Sequence, residues 1–406
     1  MRLGDICSKI GSGATPRGGK EAYSTSGIPI IRSQNVLDWS FSSNGLAYLN
    51  DEQAKTLSNV EVHQGDILLN ITGDSVARAC IVPSDVIPAR VNQHVAILRP
   101  KEKANATFIL AWLQTNKDLL LKLASSGATR NALTKRMLEG LDINLPSIDI
   151  QNHIAELISL IQSKINLNIK LNGYLEELCE CLAAHESGTK TEIMQLCSLV
   201  SEKVPCNEAV LNTYVSTESL LSDKRGRQRA SSLPRTGKVT IYRSSDVLIS
   251  NIRPYFKKIW FADCDGTCSG DVLVFRAKNP LLAPYLYSIL HADSFFEFVM
   301  KGAKGTKMPR GDKRQMLTYQ AASSPRQDTI ASTTILTEQI AINDRENDKL
   351  TALRDVILPK LMSGEIDVSK IDFTQLNSHL EKRKAAASVL SLIFPIALPG
   401  LWSPMQ

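Results

Sequence analysis

Ten Lys or Arg residues fall between Lys224 and Lys258, against a single acidic residue, Asp246. They are Lys224, Arg225, Arg227, Arg229, Arg235, Lys238, Arg243, Arg253, Lys257 and Lys258, with Tyr242, Tyr255 and Trp260 interleaved. Six more basic residues lie between Lys301 and Arg314, Lys307 among them, against Asp312. A solvated face mixes both signs. A run this one-sided fits a polyphosphate, where each neutralised phosphate releases counterions and adds affinity. The first half is less basic but carries base-reading side chains. Arg17 lies in the loop Thr15-Pro-Arg-Gly-Gly-Lys20. Arg32-Ser-Gln34-Asn35 follows the strand-like Ile28-Pro-Ile-Ile31, and Arg90-Val-Asn92-Gln93 precedes another strand. Arg pairs bidentately with guanine and Asn or Gln with adenine. The same residue types also build turns and caps.

Other chemistries find less support. Gly13 to Lys20 resembles a phosphate-binding loop only in outline. Ala14 stands where the first glycine is required, and Glu21 follows Lys20 in place of Ser or Thr. There is no Asn-Pro-Pro-aromatic tetrapeptide of the kind an amino-methyltransferase uses to hold its target base, and no Gly-x-Gly-x-x-Gly opening a βαβ unit. The six histidines are dispersed without a His-Glu-x-x-His pattern. His63, His94 and His291 are expected on strand or helix surfaces. Cys264 and Cys268 have metal-like spacing but no second pair follows, so the eight cysteines are expected as reduced thiols, with no metal and no catalytic residue.

With 406 residues, 43% hydrophobic and 22% charged, the chain can fill two or three globular cores. Its net charge of +6 is compatible with nucleic acid. The N-terminus lacks the apolar core of a secretory signal. The apolar stretch Val389 to Leu401 is too short to span a bilayer and contains Pro395 and Pro399. A cytoplasmic protein without membrane contact is expected, with an accessory C-terminal tail.

The elements that must position these residues come in two copies. Gly65-Asp-Ile-Leu-Leu-Asn-Ile71 resembles Ser245-Asp-Val-Leu-Ile-Ser-Asn-Ile252. Val95-Ala-Ile-Leu-Arg99 resembles Val272-Leu-Val-Phe-Arg276, and Phe108 to Leu113 resembles Tyr285 to Leu290. Gly127-Ala-Thr-Arg130 and Gly305-Thr-Lys307 follow, then Gln151 to Ile154 and Gln327 to Ile330, all at an offset of about 175–180 residues. Each copy predicts a strand-rich stretch, a helix (about Thr107 to Leu123; Leu282 to Met300), a polar loop and a long helix. In the first long helix Ile154, Ile158, Ile161, Ile165, Asn168, Asn172, Leu175, Cys179 and Leu182 recur at spacings of 4 and 3, a coiled-coil seam. The second seam, Ile330, Thr334, Thr337, Ile340, Asn343, Asn347, Leu350 and Ile357, is weaker. Asn168, Asn172, Asn343 and Asn347 sit at matching points and are expected to fix register and to help dock partners. The fold expected is α+β: two similar mixed α/β domains separated by two long antiparallel helices in a pseudo-twofold arrangement. A helix from Ile150 to Ala184 is roughly 50 Å long. The boundaries are 1–148, 149–186 (helix), 187–324, 325–364 (helix) and 365–406 (tail).

Taken in order, these motifs resemble the DNA-specificity subunit of type I restriction–modification enzymes. In the first copy the resemblance rests on Leu3-Gly-Asp-Ile6, Gly11-Ser-Gly-Ala-Thr15-Pro16, Gly27 to Asn35 and Gly65-Asp-Ile-Leu68. In the second it rests on Tyr214-Val-Ser-Thr-Glu218, Asp246 to Tyr255 and Cys268-Ser-Gly-Asp271, with the helices ending Leu171 to Leu178 and Lys349 to Gly364. It covers about residues 1–370 and leaves the tail unexplained. It implies two target recognition domains reading a bipartite duplex. It also implies two modification subunits that bring S-adenosylmethionine and methylate adenine, and restriction subunits that bring ATP and Mg; this chain itself carries no cofactor. For one half-site the expected base contacts are Arg17, Arg32, Gln34, Asn35, Asn92 and Gln93. For the other they are Arg225, Arg227, Asn251, Arg253, Lys257, Lys258 and Lys307. Three alternatives stay open: a self-sufficient DNA methylase or nuclease with an unrecognised centre, a pure scaffold whose basic patches are incidental, and a variant that competes for partners.

Overall fold

The computed structural model describes residues 1–16, 18–125 and 131–370. Arg17, the loop 126–130 and the tail from residue 371 lie outside the described residues. The chain divides into two compact units, residues 1–167 with the chain from Glu346 onward, and residues 168–345.

Unit one opens with α1 (Leu3–Ile6) and strands β1 (Cys7–Ser12), β2 (Ile28–Ile31) and β3 (Ala47–Leu49). After α2 (Asp51–Thr56) come β4 (Glu61–Val62), β5 (Ile67–Asn70), β6 (Ala79–Ile81), β7 (Ala89–Val91) and β8 (Val95–Pro100). Helices α3 (Ala106–Thr115), α4 (Lys117–Ser125), α5 (Lys135–Glu139) and α6 (Ile148–Ala184) follow. One sheet has the order β1-β8-β5-β6 and is antiparallel throughout. The second has the order β3-β2-β7-β4, with β2 and β7 parallel.

The first sheet is covered on both faces. Ile67, Leu69, Ala96 and Leu98 join the helical core around Phe108, Ile109 and Trp112. Leu68, Val95 and Ile97 point the other way, into a core shared with Ile30, Ile31, Val62 and Val91 of the second sheet. That explains why β5 is buried along its whole length and opens with three successive apolar residues without alternation.

Unit two repeats this plan. Its strands are β9 (Lys190–Glu192), β10 (Cys197–Leu199), β11 (Lys203–Pro205), β12 (Tyr214–Val215), β13 (Lys238–Tyr242), β14 (Val247–Ser250), β15 (Ile259–Phe261), β16 (Gly266–Cys268), β17 (Val272–Ala277) and β18 (Gln320–Ala322). Helices α7 (Ala283–His291), α8 (Asp293–Lys301), α9 (Lys313–Leu317) and α10 (Gln327–Ser363) complete it. The order β10-β17-β14-β15 matches β1-β8-β5-β6 strand for strand. In the other sheet, β12-β16-β13 matches β2-β7-β4, again with the first pair parallel. Val247, Ile249, Leu273 and Phe275 face the helices, and Leu248, Val272 and Val274 face the second sheet.

The duplication extends to single hydrogen bonds. Asp66, ahead of β5, accepts from the His63 N–H at 2.7 Å and holds the Arg99 guanidinium through two bonds of 2.8 Å. Asp246 accepts from the Arg243 N–H at 2.7 Å and holds Arg276 at 2.8 and 2.6 Å. The residue before each Asp is left-handed: Gly65 at φ +81 and Ser245 at φ +71. Serine has a Cβ that opposes this conformation and glycine has none. Ser245→Gly is therefore expected to raise stability by about 0.5–1 kcal/mol, after allowing for the greater unfolded-state freedom of glycine. The check is a higher urea midpoint at unchanged m-value.

Two expectations are corrected in detail. Each helix predicted after the strands is two helices, broken at Asn116 in one copy and Ala292 in the other. The Asn116 amide bonds back to the Trp112 carbonyl at 2.9 Å and ends α3. The second seam is also displaced. Its buried face runs through Thr329, Thr333, Thr337, Ile340 and Asn343 in unit two and through Arg354, Leu358 and Leu361 in unit one; Ile330, Thr334 and Ile357 are only half-buried. The threonines tolerate burial because each of Thr333 and Thr337 returns its hydroxyl to the carbonyl four residues earlier, at 2.8 Å.

Candidate nucleic-acid interface

In unit one, parallel pairing of β2 and β7 brings their C-terminal ends out side by side, and the Asn92 N–H bonds the Ile31 carbonyl at 3.0 Å. Arg32 to Asn35 and Asn92 to His94 therefore share one edge, and the turn after β5 joins them. His94 Nδ1 lies 2.7 Å from the Thr72 hydroxyl, and its Nε2 lies 3.3 Å from the Gln93 amide. Ser33, Gln34, Thr72, Asp74, Arg78 and His94 line a recess of about 440 Å³. Gln34 and Gln93 are exposed here.

Their neighbours do different work. Asn35 is fully buried: its Oδ1 accepts from the Arg32 N–H at 3.0 Å, and its amide donates to the Ser42 and Asn44 carbonyls at 2.9 and 3.2 Å. Asn92 is buried and accepts from the His94 N–H at 3.1 Å. The Asn35 amide is spent on its own loop, and the Asn92 side-chain oxygen on the turn to His94. Arg32 lies 5.6 Å from the Tyr23 ring and donates to the Gly45 carbonyl, which Gln34 also reaches at 3.0 Å.

In unit two the basic run separates into two groups. Arg225, Arg229, Arg235, Lys238 and Arg243 are exposed, as are Lys301, Lys307, Lys313 and Arg314; Lys304 is exposed too but pairs with Asp312 at 3.2 Å. Others are already engaged. Asp293 binds Lys224 at 2.6 Å and Lys257 at 3.0 Å. Lys258 donates to the Thr217 carbonyl at 2.5 Å, and burial lowers its pKa. Arg227 packs 4.6 Å from the Trp260 ring and donates to the Asn212 carbonyl at 3.2 Å. Asn251 is buried. Arg253 is half-buried and left-handed, at φ +50.

The long helices run antiparallel within each unit. In unit one Gln162 meets Arg354 and Lys164 meets Glu346; in unit two Asn172 meets Asn343, and Glu186 meets Thr329. Asn168 and Asn343 have no exposed surface, Asn172 is buried and Asn347 half-buried. Asn343 donates to the Asn172 carbonyl oxygen at 2.7 Å, and Asn172 donates to Asp344 at 2.7 Å. Asn172→Leu strands the Asn343 amide and is expected to cost about 2–3 kcal/mol. Asn172→Leu with Asn343→Leu should recover most of that loss, measured by thermal denaturation of both variants.

His291 is not a surface residue. It is buried in unit two, with Nδ1 2.6 Å from Glu180, and Glu176 accepts from the Tyr287 hydroxyl at 3.1 Å. Burial raises the Glu176 pKa. Among the described residues no group of three or more His, Cys, Asp or Glu is placed to hold a metal ion. All eight cysteines are free, and burial pushes the thiols of Cys7, Cys80, Cys179, Cys197 and Cys268 up to about 12. Among the described residues no helix is long and apolar enough to cross a membrane. Sequence reasoning missed Asp74, Arg78 and His94. The alignment of their loops with the second copy was the available signal.

Residues 1–177 match a family model described as type I restriction modification DNA specificity domain. A putative type I restriction enzyme MjaX specificity subunit from Methanocaldococcus jannaschii is 22% identical over 208 residues, which cover 48% of each chain. The chain thus spans about half the length of that curated relative. Among solved structures, the S subunit of a type I restriction-modification system from M. genitalium is similar over 89% of this chain and 95% of that one, at 13% identity and a TM-score of 0.47. The HsdS subunit from Thermoanaerobacter tengcongensis is similar over 90% and 96%, at 15% identity and a TM-score of 0.33.

Proposed function

We propose, from the match of residues 1–177 to the type I restriction modification DNA specificity domain, that this chain is the non-catalytic DNA-binding subunit of a type I restriction–modification complex. Each unit reads one stretch of a bipartite duplex target. The observation that carries this reading is the duplication itself: two units of the same strand order, each bringing polar or basic loops to equivalent ends of equivalent strands. Two similar readers with different loop residues suit two different half-sites. Phosphate contacts from the exposed arginines and lysines supply affinity, and loop side chains supply sequence discrimination.

The same proposal includes partners and a cytoplasmic location. Two modification subunits bring S-adenosylmethionine and methylate adenine, and restriction subunits bring ATP and Mg. The long helices are their docking surface: Ile335, Ile342, Leu353 and Val356 remain exposed on α10, apolar surface of the kind a partner helix covers. The test is methylome sequencing of the host with and without this chain. Loss of one split adenine-methylation motif is the expected result. Turnover of duplex DNA by the purified chain alone, given Mg, ATP and S-adenosylmethionine, would overturn the non-catalytic assignment.

A further inference from the structure

The turns that follow β5 and β14 have one backbone and two unrelated sets of side chains. Gly73 and Arg253 are left-handed, at φ +74 and +50, and four residues later so are Ala77 and Lys257, at φ +68 and +48. Between them each copy forms a single 3-10 turn, Gly73–Ser75 and Pro254–Phe256. Val76 N–H bonds the Gly73 carbonyl as Phe256 N–H bonds the Arg253 carbonyl. Asn70 N–H bonds the Arg78 carbonyl as Ser250 N–H bonds the Lys258 carbonyl. Even the outward bridges correspond: Thr72 to Ala132, and Ile252 to Arg310.

Three of the four left-handed positions carry a Cβ, at about 1–2 kcal/mol each. Both copies keep this costly frame, while the side chains on it run Gly-Asp-Ser-Val-Ala-Arg from 73 to 78 and Arg-Pro-Tyr-Phe-Lys-Lys from 253 to 258. Elsewhere the copies retain their chemistry, as in the pairs Asp66–Arg99 and Asp246–Arg276. A fixed frame with divergent contents is what two readers of different sequences require.

We infer that these two turns are the specificity-determining tips, one for each half of the DNA target. In unit one Asp74 is exposed and Arg78 half-exposed on the recess shared with Gln34 and His94. A carboxylate there accepts from the cytosine amino group, and a guanidinium donates to guanine. In unit two Tyr255 is 47% and Phe256 36% exposed, with ring centroids 4.6 Å apart. The adjacent rings make a contiguous exposed apolar patch, a kind of surface that marks interaction sites. The segment that bridges to this tip carries exposed Lys307, with Lys304 and Arg310 beside it paired to Asp312 and Asp271 at 3.2 Å. Between Lys301 and Arg314 six basic residues stand against the one acidic residue Asp312, so the partner is an anion with flat apolar faces. Duplex DNA meets both conditions, with the ring pair set against thymine methyls or wedged at a base step.

This inference rests on the specificity-subunit reading, and the experiment separates the two. The full chain is co-produced with its modification subunits in a host free of other adenine methylases, and the methylome is sequenced. A wild-type complex that yields no split motif defeats the underlying reading. Given a wild-type motif, Asp74→Asn with Arg78→Gln is expected to relax discrimination about tenfold at one or two positions of one half-site, the other half unchanged. Tyr255→Leu with Phe256→Leu should do the same to the other half. Asp74→Asn is isosteric and Leu retains apolar bulk, so folding is preserved, and co-purification of the modification subunits verifies assembly. An unchanged motif in both variants overturns the inference. So does equal loss at both half-sites, and so does lost assembly of the Tyr255/Phe256 variant, which would mark that tip as a protein contact.

Discussion

Asp66→Ala is expected to destabilise unit one by about 3 kcal/mol, read as a lower urea midpoint with unchanged m-value. The Asp66 side chain has no exposed surface, while the Arg99 side chain is 24% exposed. Removing the carboxylate therefore leaves a guanidinium that water partly reaches, which places the loss at the lower end of the 3–5 kcal/mol range for a broken buried pair. The His63 N–H loses its acceptor in the same step. Asp66→Ala combined with Arg99→Met should be less harmful than the single change, because no buried charge remains uncompensated. Asp246→Ala should repeat the effect in unit two, where Arg276 is 28% exposed and the Arg243 N–H stands in for that of His63. A loss below about 1 kcal/mol in both units would mean that solvent already screens these pairs.

The same pair shows what a sequence displays. Asp66 and Asp246 precede apolar runs of one pattern, and Arg99 and Arg276 close strands of one pattern, so the duplication and its sheets are legible from order and offset. The first helical seam is legible as well, because its buried positions are mostly isoleucines. The second is not. Thr333 and Thr337 are buried after closing their hydroxyls on their own helix, and Thr329 after donating its hydroxyl to Glu186, while a hydropathy pattern treats all three as polar.

Site residues were legible by region more than by position. Gln34 and Gln93 are on the surface and Asn35 and Asn92 are within it, although all four have the chemistry of adenine readers. Asparagine closes tight turns onto the backbone with its short amide, and the competition between turn and base is settled by loop geometry. Lys257 illustrates the other limit. It lies in a basic stretch of sequence, but its partner Asp293 arrives from a helix farther along the chain. Charge counted along a sequence therefore overstates the charge that a folded surface offers.

That distinction selects the residues whose loss should matter most for binding. Arg225, Arg229, Arg235 and Lys238 are exposed and lie in the run that reads as most cationic. Changing all four to Gln is expected to lower duplex affinity by about 10³-fold at 0.15 M salt, if each neutralises one phosphate. The slope of log K against log salt should become shallower by about 3.5. Surface substitutions of this kind change stability by about 0.5 kcal/mol or less, so the melting temperature serves as the control. Counterion release is blind to sequence, and the recognised motif should survive while occupancy falls. A companion variant, Lys224→Gln with Lys257→Gln, removes two cations already held by Asp293 and should move the slope far less. Equal slopes for both variants and the wild type would show that this face of unit two does not meet the phosphates.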